Sequence, residues 1–302
     1  MPSDFAAALL AWYQCHGRDL PWRHTRDPYA IWVAEVMLQQ TQVDTVVPFY
    51  ERWLACFPSV RSLARAGIDR VLAAWEGLGY YRRAHNMLQA ARMMVEQFDG
   101  HVPDNEEALS QLPGIGPYTT AAVAAMAFNR DTVALDGNLK RVLARLINLQ
   151  SDITRAGAIR TLHQTAVAWL PPGQAAAFNQ ALMDLGAQIC IPRLPACDLC
   201  PVSQFCQAWH LGLQDQRPIR SRRRPTTVRR QVAAVIRLDG AYLVRRRPDA
   251  GLLAGMYEFP RAELEVDESP WAGAQRLAAE LGLGLAGWVE LDKIRHAYTH
   301  FR

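Results

Sequence analysis

Four of the six cysteines fall in one short segment, CIPRLPACDLCPVSQFC, as Cys190, Cys197, Cys200 and Cys206, separated by six, two and five residues. Thiols packed this densely in a reducing compartment are metal ligands, because disulfides do not persist there. Zinc ribbons pair two CxxC knuckles at a distance. Here one CxxC sits inside a single loop closed by flanking cysteines, which suits a cubane better than one tetrahedral ion. Spacing alone leaves both metals open. Cys15 and Cys56 stand apart on helical stretches and read as packing thiols.

Two further sets of residues could do chemistry. In LPGIGPYTT, residues 112–120, a helix ends near Leu112, and Gly114 and Gly116 supply backbone angles closed to other residues. Pro117 suits the first position of the next helix. The pattern is a helix-hairpin-helix, and the free N–H groups at its second helix favour an anion such as a DNA phosphate. A plain corner between two helices is the alternative. Twenty residues after Gly116, Asp136 opens the helical run VALDGNLKRVLARL. As an N-cap it would be kept ionised by the helix dipole, which is what a group facing a developing cation requires. Glu35 lies among Trp32, Val33, Val36, Met37 and Leu38. Surroundings this apolar disfavour the carboxylate and raise its pKa toward that of a general acid near neutral pH.

The elements that must position these residues follow from the wider pattern. The chain has 302 residues, half of them hydrophobic, enough for more than one compact unit. Its longest apolar runs, such as AAVAAMAF, fall short of the ~20 residues that cross a bilayer, so no transmembrane helix is expected. The N-terminal MPSDFAAALLAWYQCHG reads as an amphipathic helix with Ser3 as cap and Gly17 as stop, not as a leader, and a reducing cytosol is expected. Net charge is +4, but seven arginines lie between Arg217 and Arg230, and without them the chain carries −3. That run reads first as a solvated linker.

To about residue 213 apolar residues recur three and four apart, with Ser59 and Asp104 as caps and Gly17, Gly100 and Gly186 as stops, predicting an all-α domain. Residues 214–228, rich in arginine and broken by Pro218 and Pro225, read as an interdomain linker. From 229 to 302 come the β-rich runs RQVAAVIRL and AYLVRRR around an Asp-Gly turn, then MYEFP, then the helical SPWAGAQRLAAELG. The second domain is small and α+β.

A helical domain, LPGIG, a downstream Asp and a Cys-x6-Cys-x2-Cys-x5-Cys loop together resemble the helix-hairpin-helix DNA glycosylases with a [4Fe-4S] cluster. Tyr118 selects the branch. Relatives resembling endonuclease III, which also cleave the strand, carry a lysine there to form a Schiff base, and a phenol cannot. The segment LPWRHTRDPYAIWVAEVMLQQTQV, residues 20–43, narrows the resemblance to adenine DNA glycosylases of the MutY type. It implies a monofunctional enzyme that flips adenine out of duplex DNA opposite 8-oxoguanine or guanine. In that reading Glu35 protonates the base, Asp136 stabilises the sugar cation, and Tyr118 and Asn138 orient the pair. It further implies that Leu38, Gln40 and Tyr80 probe or wedge the base stack, that Gly114 and Gly116 hold phosphate, and that Lys140 lies near the DNA. The C-terminal piece, with GLLAGMYEFP, resembles a Nudix-like reading domain. It lacks the glutamate run that binds magnesium for pyrophosphate hydrolysis. Tyr298, Thr299 and His300 stand where the family's Phe-Ser-His reads 8-oxoguanine. Relatives continue for several further strands, so an incomplete reading domain is expected. A monomer associated with the nucleoid is expected.

Overall fold

The computed structural model describes residues 2–221, 228–248, 251, 253–284 and 288–295. The chain divides into two units, Met1–Ser221 and Arg222–Arg302. In the first, helix follows helix: α1 (Pro2–His16), α2 (Pro28–Met37), α3 (Val43–Cys56), α4 (Val60–Ala64), α5 (Ile68–Trp75) and α6 (Arg82–Gln97) precede the hairpin. The hairpin itself is α7 (Glu106–Gln111) and α8 (Pro117–Phe128), and α9 (Gly137–Leu146), α10 (Ala156–Trp169), α11 (Ala175–Gln188) and α12 (Gln207–His210) follow.

Local chemistry sets most of these boundaries. Asp27 caps α2 by accepting from the Tyr29 amide, with Pro28 at the first helical position. Ser59 and Ser62 form a reciprocal capping box on α4. Three sequence expectations are corrected. Asn105, not Asp104, caps α7 through the Ala108 amide, and Asp104 instead accepts from Arg130 at 3.2 Å. The first helix begins at Pro2, ahead of Ser3. Gly186 does not stop a helix but lies inside α11, at a close contact described below.

Two cores stabilise the helical unit. Around α2, Trp32, Trp53 and Trp75 are fully buried, and Trp53 meets Trp75 edge-on with ring centroids 5.3 Å apart. The second joins α1, α9, α10 and α11 through Leu9, Val142, Leu143, Leu162, Phe178 and Leu182. The segment read from sequence as the start of a linker packs onto this unit as far as Ser221. Arg145 donates to the carbonyls of Gln214 and Arg217, the Ile153 amide donates to the Ile219 carbonyl, and Asp152 accepts from both the amide and the hydroxyl of Ser221.

The second unit is α+β, built from β1 (Gln231–Ala233), β2 (Arg237–Leu238), β3 (Ala241–Tyr242), β4 (Arg245–Arg246), β5 (Tyr257–Glu258), β6 (Arg261–Glu263) and α13 (Pro270–Glu280). Antiparallel pairs join β1 to β6, β2 to β3 and β4 to β5. The turn between β2 and β3 is Asp239-Gly240, both at positive φ, as the Asp-Gly signal predicts. Ser269 caps α13, whose Leu277 packs with Ala234, just past β1, and Ala262 of β6.

Candidate active site

Helix α2 is apolar on every face, and every residue from Tyr29 to Met37 is buried. Glu35, midway along it, is 2% exposed. Burial raises its carboxyl to about 7, against a hydrogen bond from Tyr118 that lowers it; the charge of Asp136 adds to the rise and Arg23 opposes it. A proton therefore sits on Glu35 at neutral pH in a large fraction of molecules.

Tyr118 occupies the first turn of α8, which packs against α2. Its Oη donates to Glu35 Oε2 at 2.7 Å. Burial, with the carboxylates of Glu35 and Asp136 nearby, pushes the phenol well above its ordinary range, so it stays a donor. The same two helices are tied again by Gln39, whose Nε2 donates to Thr119 Oγ1 at 3.2 Å.

Asp136 caps α9, its Oδ1 accepting from the Leu139 amide at 2.7 Å. Burial raises its carboxyl while the amides of Leu139 and Asn138, the charge of Arg141 and the Asn138 side chain lower it. The helix terminus thus contributes as the sequence predicts, but the net direction is upward. Asn179, fully buried on α11, fixes the approach to Asp136: its Oδ1 accepts from the Ala134 amide at 2.8 Å and its Nδ2 donates to the Thr132 carbonyl at 2.9 Å. Asn138 Oδ1 accepts from Arg141 at 2.8 Å, and Arg141 also donates to the carbonyls of Gly186 and Cys190. A Cβ on Gly186 would lie 2.7 Å from the Asn138 Cβ, so the glycine lets α11 and α9 touch beside the site.

At the hairpin, Gly114 has φ +78° and its missing Cβ makes room for Asn86. Gly116 has an ordinary φ of −94°, contrary to the expectation that both glycines need special angles. Its value is space: nothing lies within 4 Å of where its Cβ would be, at the start of α8. Lys140 follows Asp136 by one turn, its amide donating to the Asp136 carbonyl at 3.1 Å.

Leu38 is the C-cap of α2, and Gln40 follows at φ 62°. Tyr80, at φ 49° and 46% exposed, occupies the loop before α6. Two left-handed non-glycine residues in these loops are strained conformations of the kind that cluster at functional sites. Tyr298, Thr299 and His300 lie outside the described residues.

The four cysteines of the loop line one cavity with Val142, Arg145 and Trp209. They share it without converging on a point: among the described residues no three Cys, His, Asp or Glu side chains are placed to hold one metal ion. Burial pushes Cys197 up to about 11 and Cys200 to about 12, and the neighbouring thiols add to both. Arg145 Nη1 lies 3.2 Å from Cys190 Sγ.

Sequence reading missed the buried network around Asp184. Asp184 on α11 has no exposure and accepts from the Arg18 amide, Arg18 Nε and both Nη atoms of Arg23 at 2.7–2.9 Å. This anchors residues 18–23 and brings the Arg23 charge within reach of Glu35. The available signal was a lone acid in the apolar run ALMDLGAQ.

Residues 33–166 match the HhH-GPD superfamily of base excision DNA repair proteins, and residues 231–302 match the NUDIX domain. A mouse protein named adenine DNA glycosylase is 36% identical over 353 residues, covering 99% of this chain and 68% of that protein. The chain belongs to the adenine DNA glycosylase family. The human adenine DNA glycosylase is 35% identical over 355 residues, covering 99% of this chain and 65% of its own length. The chain thus spans about two thirds of these family members. Among solved structures, a thermostable thymine-DNA glycosylase superposes with a TM-score of 0.64 at 30% identity, over 69% of this chain and 96% of that one. Within the adenine DNA glycosylase family, then, the site just described is carried by the helical unit.

Proposed function

We propose that the chain is a monofunctional DNA glycosylase that removes adenine lying opposite 8-oxoguanine or guanine in duplex DNA. The observation that carries this reading is Glu35: a buried carboxyl that holds its proton to about pH 7 and is fixed by a phenol. Adenine inside a duplex is out of its reach, so the base must first be extruded, at a cost of about a few kcal/mol. Glu35 then delivers its proton to adenine N7, and the glycosidic bond breaks with its electron pair leaving on the base. Asp136 faces the resulting sugar cation, stabilising it electrostatically or capturing it until water attacks. General acid catalysis contributes typically ~10²–10⁴-fold, so the remainder falls to the Asp136 side of the site. Asn138, held by Arg141, and Tyr118 orient the two carboxyls.

Tyr118 offers no amine for a Schiff base, which argues against a combined glycosylase and lyase. The donor set of Cys190, Cys197, Cys200 and Cys206 fits a [4Fe-4S] cluster: four thiols share a cavity, and the raised pKa values of Cys197, Cys200 and Cys206 call for a positively charged group to hold them as thiolates. When bound, the cluster would crosslink the loop that Arg141 and Arg145 connect to α9. Gly116 at the open start of α8, and Lys140, would meet the DNA backbone, while the second unit, with Tyr298, Thr299 and His300, would read the oxidised guanine without hydrolysing nucleotides. We take the working protein to be a monomer in the cytosol, on the nucleoid. No helix is long and apolar enough to cross a membrane among the described residues.

The test incubates the protein with a duplex containing adenine opposite 8-oxoguanine and looks for abasic sites with and without later alkali. Strand breaks only after alkali are the expected result. Breaks without alkali would indicate a lyase, and intact DNA under both treatments would overturn the proposal.

A further inference from the structure

The loops that carry Gln40 and Tyr80 come from different parts of the chain, yet one side chain holds both. Arg83, in the first turn of α6, is 7% exposed. Its Nη1 donates to the carbonyls of Val36, Met37 and Gln39 at 2.7–3.0 Å. Its Nη2 donates to Thr41 Oγ1 and to the carbonyls of Leu78 and Gly79 at 3.1–3.2 Å. The guanidinium also lies 5.1 Å from the Trp75 ring centroid and 5.5 Å from that of Tyr80.

The arrangement is specific in a way that core packing does not require. Gln39 O and Gly79 O are the carbonyls immediately preceding Gln40 and Tyr80, the left-handed residues of the two loops. Such conformations persist only where the surroundings over-determine them. Val36 O and Met37 O are at the C-terminal end of α2, where a cation is favoured by the helix dipole. A lysine could not substitute, since a single ammonium has three donors and no planar fork to span two loops.

We propose that Arg83 is a positioning residue that locks residues 36–41 and 78–80 into one rigid two-pronged insert, so that Gln40 and Tyr80 enter the base stack together. The proposal rests on the glycosylase reading for what the insert does, but not for the clamp itself. Arg83 serves extrusion of the base, not cleavage of its bond, because Glu35 meets Tyr118 on a different contact.

The experiment compares the wild-type chain with Arg83→Lys and Arg83→Met. Amide hydrogen exchange should accelerate in both loops together in each variant. Single-turnover excision from duplex adenine opposite 8-oxoguanine should fall about 10²-fold, the scale of a small misplacement remote from the chemistry. Excision of adenine opposite an abasic-site analogue, where less unstacking is needed, should fall at least about tenfold less than that. The pH midpoint of the reaction should stay put. If Arg83→Met does not fold, Arg83→Lys carries the test. Equal losses on the two substrates, full activity with lysine, or loosening of only one loop would each overturn the proposal. A wild-type chain inactive on both substrates would sink the glycosylase reading instead, and the exchange data would still decide whether the clamp exists.

Discussion

Tyr118 Oη and Glu35 Oε2 stand 2.7 Å apart, so the first turn of the hairpin's second helix is bonded directly to the buried carboxyl of α2. The hairpin therefore combines two features: Gly116 leaves the helix start open, where the proposed function puts a phosphate, and two residues later Tyr118 grips the acid. In the proposed reaction, DNA engagement and the proton donor would share one rigid element.

The first expected consequence is a bell-shaped pH profile. In the proposed mechanism Glu35 must be protonated, so activity should fall as pH rises through about 7. In the same mechanism Asp136 must be ionised, and because burial raises its pKa, the acid limb should lie above the ordinary aspartate range. Glu35→Gln keeps the shape but cannot deliver a proton, so it should bind duplex DNA nearly normally and release no adenine in single turnover. Appreciable base release by that variant would remove Glu35 from the mechanism.

Tyr118→Phe deletes the hydrogen bond that lowers the Glu35 pKa. The alkaline limb should consequently move to higher pH, while the loss of orientation lowers the maximal rate by about tenfold, as for a hydrogen bond of roughly 1.4 kcal/mol. Titrating excision rate against pH for both proteins checks it; an unmoved alkaline limb would mean that the phenol does not set the acid.

Much of this site was legible in the sequence, for reasons that differ by residue. Glu35 was visible because its apolar neighbours are adjacent in the chain, and Asp136 because capping is a local signal. Tyr118 was placed by the Gly-Pro turn before it. Arg83 and Asp184 were not legible, since their partners are carbonyls and guanidinium groups brought together only by folding. Gly186 was misread for the same reason: a glycine near a helix end resembles a stop, and only the fold sets it against Asn138. The packing of residues 214–221 onto the helical unit was not legible either, because Asp152 lies far away in sequence from the Ser221 it holds.

That contact makes a second substitution informative. Gly186→Ala would place a Cβ 2.7 Å from the Asn138 Cβ, and the two helices would have to separate. Overpacking of this kind costs about 1–3 kcal/mol, and the displaced Asn138 should lower the excision rate as well. Gly157→Ala in α10 is the control: nothing lies within 4 Å of the added Cβ, so stability should hold or rise by up to about 1 kcal/mol. Urea unfolding and single-turnover excision on the two variants make the comparison.

The buried acid also predicts a pH-dependent stability. Between its ordinary value near 4.5 and about 7, Glu35 binds more proton folded than unfolded. Raising the pH through that window therefore removes stability, on the order of 3 kcal/mol in total, and above it the loss is complete. Glu35→Gln should match the wild type in urea most nearly at pH 4, below the window, and exceed it at pH 8. Equal midpoints at both pH values would show that the carboxyl ionises without difficulty.

The cysteine loop supplies the last test. If the four thiols hold a [4Fe-4S] cluster, the purified protein should be brown and contain about four irons per chain. Stoichiometric zinc in anaerobically prepared protein would show the assignment to be wrong. Cys200→Ala removes one ligand from a cavity walled by α9 and α11, and Arg141 joins the Cys190 carbonyl to Asn138. The variant should lose iron and weaken DNA binding or folding more than it slows excision from bound substrate, because Glu35 and Tyr118 are bonded to each other through α2 and α8. Iron analysis, binding isotherms and single-turnover rates on the same preparation separate these effects. A variant that kept its iron and its affinity while losing only rate would instead place Cys200 in the chemistry.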